Sequence, residues 1–425
     1  MKNSGIEWIG EIPDGWEMIP NKHLFLDHSQ KVGKKWTNYK LLSLTTSGVK
    51  EKDINSTGGK IPDSYENYQT VVPGDMVFCL FDLDCSAVFS GLSAHSGMIT
   101  SAYDVFAVND NLIDEKYIDY WFQYVFSNRY YKMYSKNIRY TVTGETFGAT
   151  LTPVPPIKTQ RKIGVFLKNK CAEVDKLIEV QQAQIDKLKE YKQSVITEAV
   201  TKGLDPTVPM KDSGVEWIGK VAVENNIEKL KFLLIAPMQY GANESGINDS
   251  AEGIRYIRIT DIADDNTLKN SEDNMYLPRL LAESYLLHDQ DVLFARSGGT
   301  VGKTFIYDKK YGQSAFAGYL IKAECNKEKL LPYFLAYYTQ SSIYNLWKNS
   351  IFIQATIQNI GATKYSNMEV VIPPIENQKQ IIDYLDDKCA KIDKLIAIKQ
   401  AKIDKLQEYK KSLIYEYVTG KKEVM

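Results

Sequence analysis

The sequence has few cysteines and histidines and no long apolar run, and these absences exclude several classes of protein. The 425 residues contain five cysteines without a CxxC pair, and four histidines without the spacing of a metal motif. Neither a disulfide framework nor a zinc site is indicated. No apolar run approaches the roughly 20 residues of a membrane span, and the start MKNSGIEWIG is unlike a signal peptide. We expect a cytoplasmic protein without a metal site.

The motifs of catalytic sites are also incomplete. SGGTVGKT at Ser297–Thr304 resembles a phosphate-binding loop, but serine replaces its first glycine and a predicted strand follows where a helix is needed. The prolines of VPPI and IPPI lack the polar and aromatic neighbours of the loop that DNA amino-methyltransferases carry. Asp82 and Asp84 have no lysine at the spacing of a metal-dependent nuclease. We expect no catalytic site and no cofactor in this chain.

What the chain does contain, twice, is a long charged segment. Residues 155–201 and 373–419 align without a gap and agree at about 27 of about 47 positions, sharing the words PPI, KCA, DKLI and EYK. Apolar residues recur at the a and d positions of heptads with charged flanks, which predicts a coiled-coil seam. The predicted seam and subunit-interface residues are Leu167, Val174, Ile178, Ile185, Leu188, Leu385, Ile392, Ile396, Ile403 and Leu406.

These two helices are too polar to be buried inside one globular domain. About 42 helical residues make a helix of roughly 60 Å, which we expect to pack on its copy or on a partner. Lys192 and Lys410 occupy equivalent a positions, where lysine costs stability but fixes register and orientation. An antiparallel pair would give the chain a pseudo-twofold arrangement. The helices alone also fit a plain spacer or dimerisation coil.

The repeated segments divide the chain into alternating globular and helical parts, in line with a length that suggests two to four domains. The globular parts begin with SGIEWIG and SGVEWIG and are otherwise diverged. We predict globular domains at 1–154 and 213–372, long helices at 155–201 and 373–425, and a linker at 202–212. Short strand patterns and helical stretches, among them 114–136 and 330–350, predict an α+β class for both globular parts.

Basic residues interleaved with aromatic residues are the candidates for contacts with DNA. Tyrosines at helical spacing also fit an ordinary core. The balance of 52 basic against 53 acidic residues does not indicate a nucleic-acid-binding protein. The candidate DNA-binding residues are Lys34, Lys35, Arg129, Lys132, Lys136, Arg139, Arg255, Arg258, Arg296 and Lys303.

The combination of these sequence motifs resembles that of one known family. SGIEWIG, TKGLDP, VPMKDSGVEWIG and the two PPIxxQ–DKLI–EYK segments are similar to those of the specificity subunits of type I restriction–modification enzymes. The resemblance implies a non-catalytic subunit with two target-recognition domains, each reading half of a split site in double-stranded DNA. It implies that the long helices set the spacing and dock two modification subunits.

The same resemblance assigns the chemistry to partner subunits. Modification subunits would use S-adenosylmethionine to methylate adenine, and restriction subunits, with a motor and a nuclease, would use ATP and Mg²⁺. The second opening departs from the first, with Ala222 in place of Pro13 and no equivalent of Trp16, so we expect a local difference there. The alternative function is a coiled-coil scaffold whose globular heads bind protein partners.

Overall fold

The structure, a computed structural model, describes residues 1–27, 30–54, 64–135, 140–263, 267–269, 273–352 and 358–424. The chain divides into two compact units: unit 1 contains Met1–Gln182 and Gln400–Met425, and unit 2 contains Ala183–Lys399. Each unit therefore holds one globular part, called head 1 (1–154) or head 2 (213–372), together with parts of both long helices. Within the described ranges, no helix is long and apolar enough to cross a membrane.

In the described part of the first half of the chain, short strands and helices follow one another, and the last of these helices continues into unit 2. The strands are β1 (Lys2–Asn3), β2 (Glu11–Ile12), β3 (Glu17–Pro20), β4 (Phe25–Asp27), β5 (Leu42–Thr45), β6 (Gly48–Glu51), β7 (Gln69–Val71), β8 (Met76–Phe78), β9 (Ser90–Leu92), β10 (Gly97–Ile99), β11 (Asp104–Val108) and β12 (Leu151–Val154). The helices are α1 (Asn21–Leu24), α2 (Glu115–Ser127), α3 (Gly144–Ala149) and α4 (Ile157–Lys202).

The second half of the chain repeats this order with differences inside the head. The strands are β13 (Met210–Asp212), β14 (Lys220–Ala222), β15 (Asn226–Lys229), β16 (Gln239–Tyr240), β17 (Gly253–Ile257), β18 (Met275–Pro278), β19 (Val292–Ala295), β20 (Thr304–Ile306), β21 (Ser314–Phe316), β22 (Leu320–Ala323) and β23 (Glu369–Ile372). The helices are α5 (Arg279–Ala282), α6 (Pro332–Tyr338), α7 (Ser342–Phe352), α8 (Ala362–Ser366) and α9 (Ile375–Val418).

The two heads share a central antiparallel sheet although their sequences have diverged. The strand order is β4-β11-β8-β9 in head 1 and β16-β22-β19-β20 in head 2. In each head the first and last strands also pair antiparallel, β3 with β12 and β15 with β23. Glu17 lies opposite Val154, and Asn226 lies opposite Ile372, so the registers are equivalent. The mixed helix and strand content confirms the predicted fold class.

The repeated opening words fold into the same turn in both units. The N–H of Ser4 donates to the carbonyl of Gly10, and the N–H of Ser213 donates to the carbonyl of Gly219, each at 2.9 Å. The local difference that was expected after the second opening is also present. Asn225 stands where head 1 has Trp16, is buried, and donates its side-chain amide to the carbonyl of Thr201 at 2.9 Å.

The long helices pack antiparallel within each unit. In unit 1 the Lys410 ammonium lies 2.7 Å from both carboxylate oxygens of Asp175. In unit 2 the Lys192 ammonium lies 2.7 and 2.8 Å from those of Asp393. Each pair joins the early part of one helix to the late part of the other, which only antiparallel packing allows. The predicted antiparallel coiled coil is thus confirmed, and its two a-position lysines find partners.

The predicted helix at 114–136 is wrong in its extent. Helix α2 ends at Ser127, Arg129 adopts a left-handed conformation with φ of 56°, and a 3₁₀ turn covers Tyr130–Tyr134. The stretch at 330–350 is likewise divided into α6 and α7. The aromatic residues of α2 pack inward, with Tyr117, Trp121 and Phe122 among the buried core of head 1. Most of that aromatic pattern therefore belongs to the core.

Candidate nucleic-acid interface

A loop leaves the central sheet after the equivalent strand in both heads, between β8 and β9 and between β19 and β20. It is fixed by the same backbone hydrogen bond: the Leu80 carbonyl accepts from the N–H of Val142, and the Arg296 carbonyl accepts from the N–H of Ile360, each at 2.8 Å. Leu80 is buried, whereas Arg296 is half-buried. One backbone position thus carries a core leucine in head 1 and an arginine in head 2.

In head 2 this arginine is stacked on an aromatic ring. The guanidinium carbon of Arg296 lies 5.0 Å from the ring centroid of Tyr240, a cation–π geometry. Its Nη1 donates to the carbonyl of Gly318 at 3.4 Å. The Tyr240 hydroxyl accepts from the N–H of Ala362 at 2.8 Å, which holds the ring in place. The guanidinium therefore has a defined orientation at the end of the sheet.

In head 1 two candidate cations share one carboxylate. The Lys132 ammonium lies 3.2 Å from Oδ1 of Asp84 and 4.2 Å from the ring centroid of Tyr140. Nη1 of Arg129 lies 3.8 Å from the same oxygen, and its side chain is 63% exposed. The loop of head 1 thus contains two acids, Asp82 and Asp84, and the cations near it come from the segment after α2, whereas the equivalent loop of head 2 contains Arg296 and Lys303 and no acid.

The other candidate residues lie at separate places. Lys34 and Lys35 are exposed on the 3₁₀ turn Gly33–Asn38. Lys303 is half-buried at the end of the head 2 loop, where its carbonyl accepts from the N–H of Ala295 at 2.9 Å. Lys136 and Arg139 lie outside the described residues.

The last two candidates, Arg255 and Arg258, bind acceptors of head 2 itself. Arg258 donates to the carboxylate of Asp261 at 2.9 and 3.3 Å. Arg255 donates to the carbonyl of Lys269 and to Oδ1 of Asn274, both at 3.2 Å. Because these bonds tie β17 to neighbouring segments of the head, they give both arginines a role in holding local structure. Their contact with DNA stays a prediction.

The predicted seam residues of the long helices are covered by the chain itself. Leu167 and Leu385, at equivalent positions, are both 0% exposed and belong to the cores under head 1 and head 2. The buried members of the predicted seam are Leu167, Val174, Ile185, Leu385, Ile392 and Ile403. The half-buried members are Ile178, Leu188, Ile396 and Leu406. Contact of any of them with another subunit stays a prediction.

Sequence reasoning missed a buried glutamine that fixes each head to its long helix. Gln160 accepts from the N–H of Asp114 at 2.7 Å and donates to the carbonyls of Leu112 and Pro155 at 2.9 and 2.7 Å. Its side chain is fully buried. The signal was the Q of the repeated PPIxxQ word, but a polar residue in a first helical turn is usually exposed.

The same anchor recurs in unit 2. Gln378 accepts from the N–H of Leu331 at 2.9 Å and donates to the carbonyls of Lys329 and Pro373 at 2.8 and 2.9 Å. It too is fully buried. The ion pairs between the DKLI aspartate of one helix and the EYK lysine of the other also recur in both units. They were missed for the same reason, because polar side chains on a helix are usually exposed. The sequence motifs shared by both copies thus contain the residues that fix each head to a long helix and the two long helices to each other.

Sites of catalytic type are not formed by the segments that resembled them. Gly298–Thr300 forms a 3₁₀ turn and strand β20 follows it, so no helix begins after Lys303 to receive a phosphate. His288, Asp291 and Glu324 bring three possible metal ligands together. However, the Lys322 ammonium lies 3.8 Å from Oδ2 of Asp291 and supplies a countercharge there. Burial raises the pKa of the Cys325 thiol to about 12, which keeps it protonated.

Comparison with known proteins gives a consistent result. Residues 247–408 match the family model described as the type I restriction modification DNA specificity domain. The StySPI specificity subunit of Salmonella potsdam is 22% identical over 246 residues, which cover 57% of this chain and 51% of that protein. The EcoKI specificity subunit of Escherichia coli K12 is 28% identical over 169 residues, covering 37% and 35%. The chain thus matches about half or less of the length of these two relatives.

Two further comparisons extend over the whole chain. The putative MjaX specificity subunit of Methanocaldococcus jannaschii is 23% identical over 437 residues, covering 97% of this chain and 95% of that protein. A chain from a structure described as the "structural basis underlying complex assembly and conformational transition of the type I R-M system" has a TM-score of 0.69. It is 14% identical and covers 96% of this chain and 98% of its own, so it shows a shared fold.

The fold and the matched segment define a DNA specificity domain of the type I restriction–modification class. Over its whole length the chain is similar to a putative type I specificity subunit, in line with the resemblance that the repeated sequence motifs indicated.

Proposed function

We propose that this chain selects the DNA sequence on which a type I restriction–modification complex acts, and that each head reads one half of a bipartite site. One observation carries the proposal. Two heads of the same fold, held by the same buried contacts, present different side chains at the same backbone position, Leu80 in one and Arg296 in the other. A constant frame with two different reading surfaces fits a split recognition sequence.

In this function the chain performs recognition and leaves the chemistry to its partners. Modification subunits would hold S-adenosylmethionine and methylate adenine, and restriction subunits would hold ATP and Mg²⁺. The chain itself would contribute no reacting group and would work in the cytoplasm, where these partners meet cellular DNA. The near-neutral net charge of −1 fits a reader that shares phosphate contacts with its partners.

The long helices would set the spacing and dock two copies of one modification subunit. Large apolar side chains are exposed at equivalent positions of both helices. Leu177 and Leu395 are 47% and 48% exposed, and Tyr191 and Tyr409 are 49% and 53% exposed. Because the helices repeat these residues on their outer faces, they offer the same docking chemistry twice. Seam residues such as Ile178 and Ile396 are half-buried within the chain and suit this role less.

Exchange of one head tests the proposed function. Residues 17–154 of head 1 would be replaced by the equivalent segment of another specificity subunit. The complex with its modification subunits would then be selected on randomised duplex DNA. We expect a gapped motif from the natural chain and a change in only one half of it from the exchanged chain. A change in both halves contradicts independent readers. Absence of any motif from the natural complex contradicts DNA recognition and favours heads that bind protein.

Docking is tested separately. Leu177→Asp combined with Leu395→Asp should abolish co-purification with the modification subunit and leave the far-ultraviolet circular dichroism unchanged, because both side chains point outward. Lys176→Gln with Lys394→Gln, at exposed neighbours on the same helices, changes the net charge by the same amount and serves as the charge-matched control. Retained co-purification of the leucine variant would contradict docking at these positions.

A further inference from the structure

We propose that Lys348 of head 2 binds one phosphate of the DNA backbone beside the loop between β19 and β20, and so holds this head on its half-site without reading a base. This inference rests on the proposed function and adds to it a residue and the chemical group that the residue contacts. It concerns head 2 alone, because the lysine beside the equivalent loop of head 1, Lys132, is paired with Asp84 of that loop.

The first observation is that a tyrosine hydroxyl holds the loop in both heads. In head 1 the Tyr131 hydroxyl donates to the carbonyl of Leu83 at 3.0 Å, and in head 2 the Tyr344 hydroxyl donates to the carbonyl of Gly302 at 2.8 Å. Tyr131 lies in the 3₁₀ turn that follows α2, and Tyr344 lies in α7, which follows α6. The same segment of each head is therefore fixed against the loop, and its other side chains lie beside it.

The second observation is the position of Lys348 on this loop. Lys348 lies one helical turn after Tyr344, on the same face of α7. A Cβ added at Gly302 would lie 2.5 Å from Cδ and 3.6 Å from Cε of Lys348. Gly302 is buried and has φ of +86°, which also favours glycine there. The alkyl stem of Lys348 thus crosses the backbone of the loop, and the residue is half-buried.

The third observation is that Lys348 has no countercharge in its head. Among the residues that the structure describes, it forms no hydrogen bond or ion pair, and burial lowers the pKa of its ammonium without a carboxylate to offset the shift. Residues 296–303 of the loop add Arg296 and Lys303 and contain no acid. Because a partly desolvated ammonium is costly without an anion, this place favours a negatively charged ligand.

The surroundings of Lys348 leave room for a phosphate. No atom lies within 4 Å of where a side chain would begin at Gly298 or Gly299 of the loop. Asn349 and Ser350, which follow Lys348 in α7, are exposed. The proposed function brings a DNA backbone to the heads, and its phosphates are the anions that a lysine, a compact point charge, contacts without a fixed plane. Such a contact positions the head on the duplex and carries no base preference.

The salt dependence of DNA binding tests the inference in the full chain assembled with its modification subunits. Complexes of the natural chain, K348M, K348Q and K348R would be titrated from 50 to 200 mM KCl, on a duplex selected by the natural complex and on an unrelated duplex of the same length. Loss of one phosphate contact should reduce the slope of log K against log salt by about 0.9 for K348M and K348Q. Both should weaken binding to the two duplexes by the same factor. K348R keeps the charge and should keep the slope.

A matched control and a second variant separate charge from structure. K327Q removes an exposed lysine beyond the opposite end of β22 and should keep the natural slope. A natural slope for K348M, an equal loss for K348R, or a changed base preference at an unchanged slope overturns the inference while the proposed function stands. A natural complex that prefers no sequence overturns both. K348M keeps an unbranched stem across Gly302, so its slope decides if K348Q fails to fold, as judged by circular dichroism.

Discussion

Head 1 and head 2 are fixed to their long helices by the same contacts and differ where the chain leaves the sheet. Gln160 and Gln378 make the same three hydrogen bonds at the start of each long helix. The loops after β8 and β19 instead differ in length and in charge, with Asp82 and Asp84 in the first and Arg296 in the second. Buried polar contacts cannot vary singly, because each change leaves a group without its partner.

The comparison teaches that this chain separates stability from specificity. The glutamine contacts that recur in both units are buried and satisfied. The residues that differ lie on loops, where a new side chain costs little and changes what a ligand meets. Substitutions in the repeated contacts should therefore affect both units alike, whereas substitutions in the loops should act on one head only.

The largest effect is expected at the buried glutamines. Gln160→Leu should destabilise unit 1, and Gln378→Leu unit 2, by about 3–5 kcal/mol, because each leaves two carbonyls and one N–H buried without partners. Urea titration followed by hydrogen-exchange mass spectrometry would report each unit through its own peptides. Lys158→Leu and Glu376→Leu, exposed neighbours in the same turns, should change stability by less than about 0.5 kcal/mol. Clearly unequal costs for the two glutamines would break the equivalence of the units.

A smaller effect is expected at the lysine–aspartate pairs. Lys410→Asp would face Asp175 with a like charge, and Lys192→Asp would face Asp393, in seams where the lysines are 28% and 25% exposed. We expect each to destabilise its own unit by about 1–2 kcal/mol, since both pairs are partly screened by solvent. The exchanged pair Asp175→Lys with Lys410→Asp should recover most of the loss in the same urea titration. No recovery would mean that the pair does not act through its charges.

The smallest effect on stability is expected at Asp119, an acidic residue of head 1 that head 2 lacks at the equivalent position. Burial raises the pKa of Asp119 on α2 to about 6, and head 2 has Ala336 at the equivalent helical position. Between about pH 4 and 6 the folded chain holds a proton that the unfolded chain has lost, so stability falls as the pH rises through this window. Asp119→Ala should therefore stabilise unit 1 by about 1–2 kcal/mol at pH 7 and have little effect near pH 4.

Asp110→Ala, which removes an exposed carboxyl group of the same head, is the control for this substitution. The unfolding free energy measured at pH 4, 5, 6 and 7 tests the sign. A natural chain that gains stability from pH 4 to 6 while the Asp119→Ala chain does not would contradict the assignment.

Much of the frame could be predicted from the sequence because it is repeated. Heptad spacing located the seam, and Lys192 and Lys410 indicated a fixed register. The anchoring role of Gln160 could not be predicted, because burial of a polar side chain depends on carbonyls supplied by a distant segment. The end of α2 at Ser127 was missed because no glycine marks the left-handed Arg129. Arg296 stood among ten similar candidates, since nothing in the local sequence distinguishes a guanidinium stacked on an aromatic ring from a solvated one.

A chain with two copies of one head tests the central claim most directly. Residues 226–372 would be replaced by residues 17–154, joined where β3 with β12 and β15 with β23 have equivalent registers. The complex of this chain with its modification subunits would be selected on randomised DNA beside the natural complex. The account predicts a gapped motif that contains the same half-site twice, the half read by head 1. Selection of the natural motif with two unlike halves would contradict it, because the reading surface would then lie outside the heads.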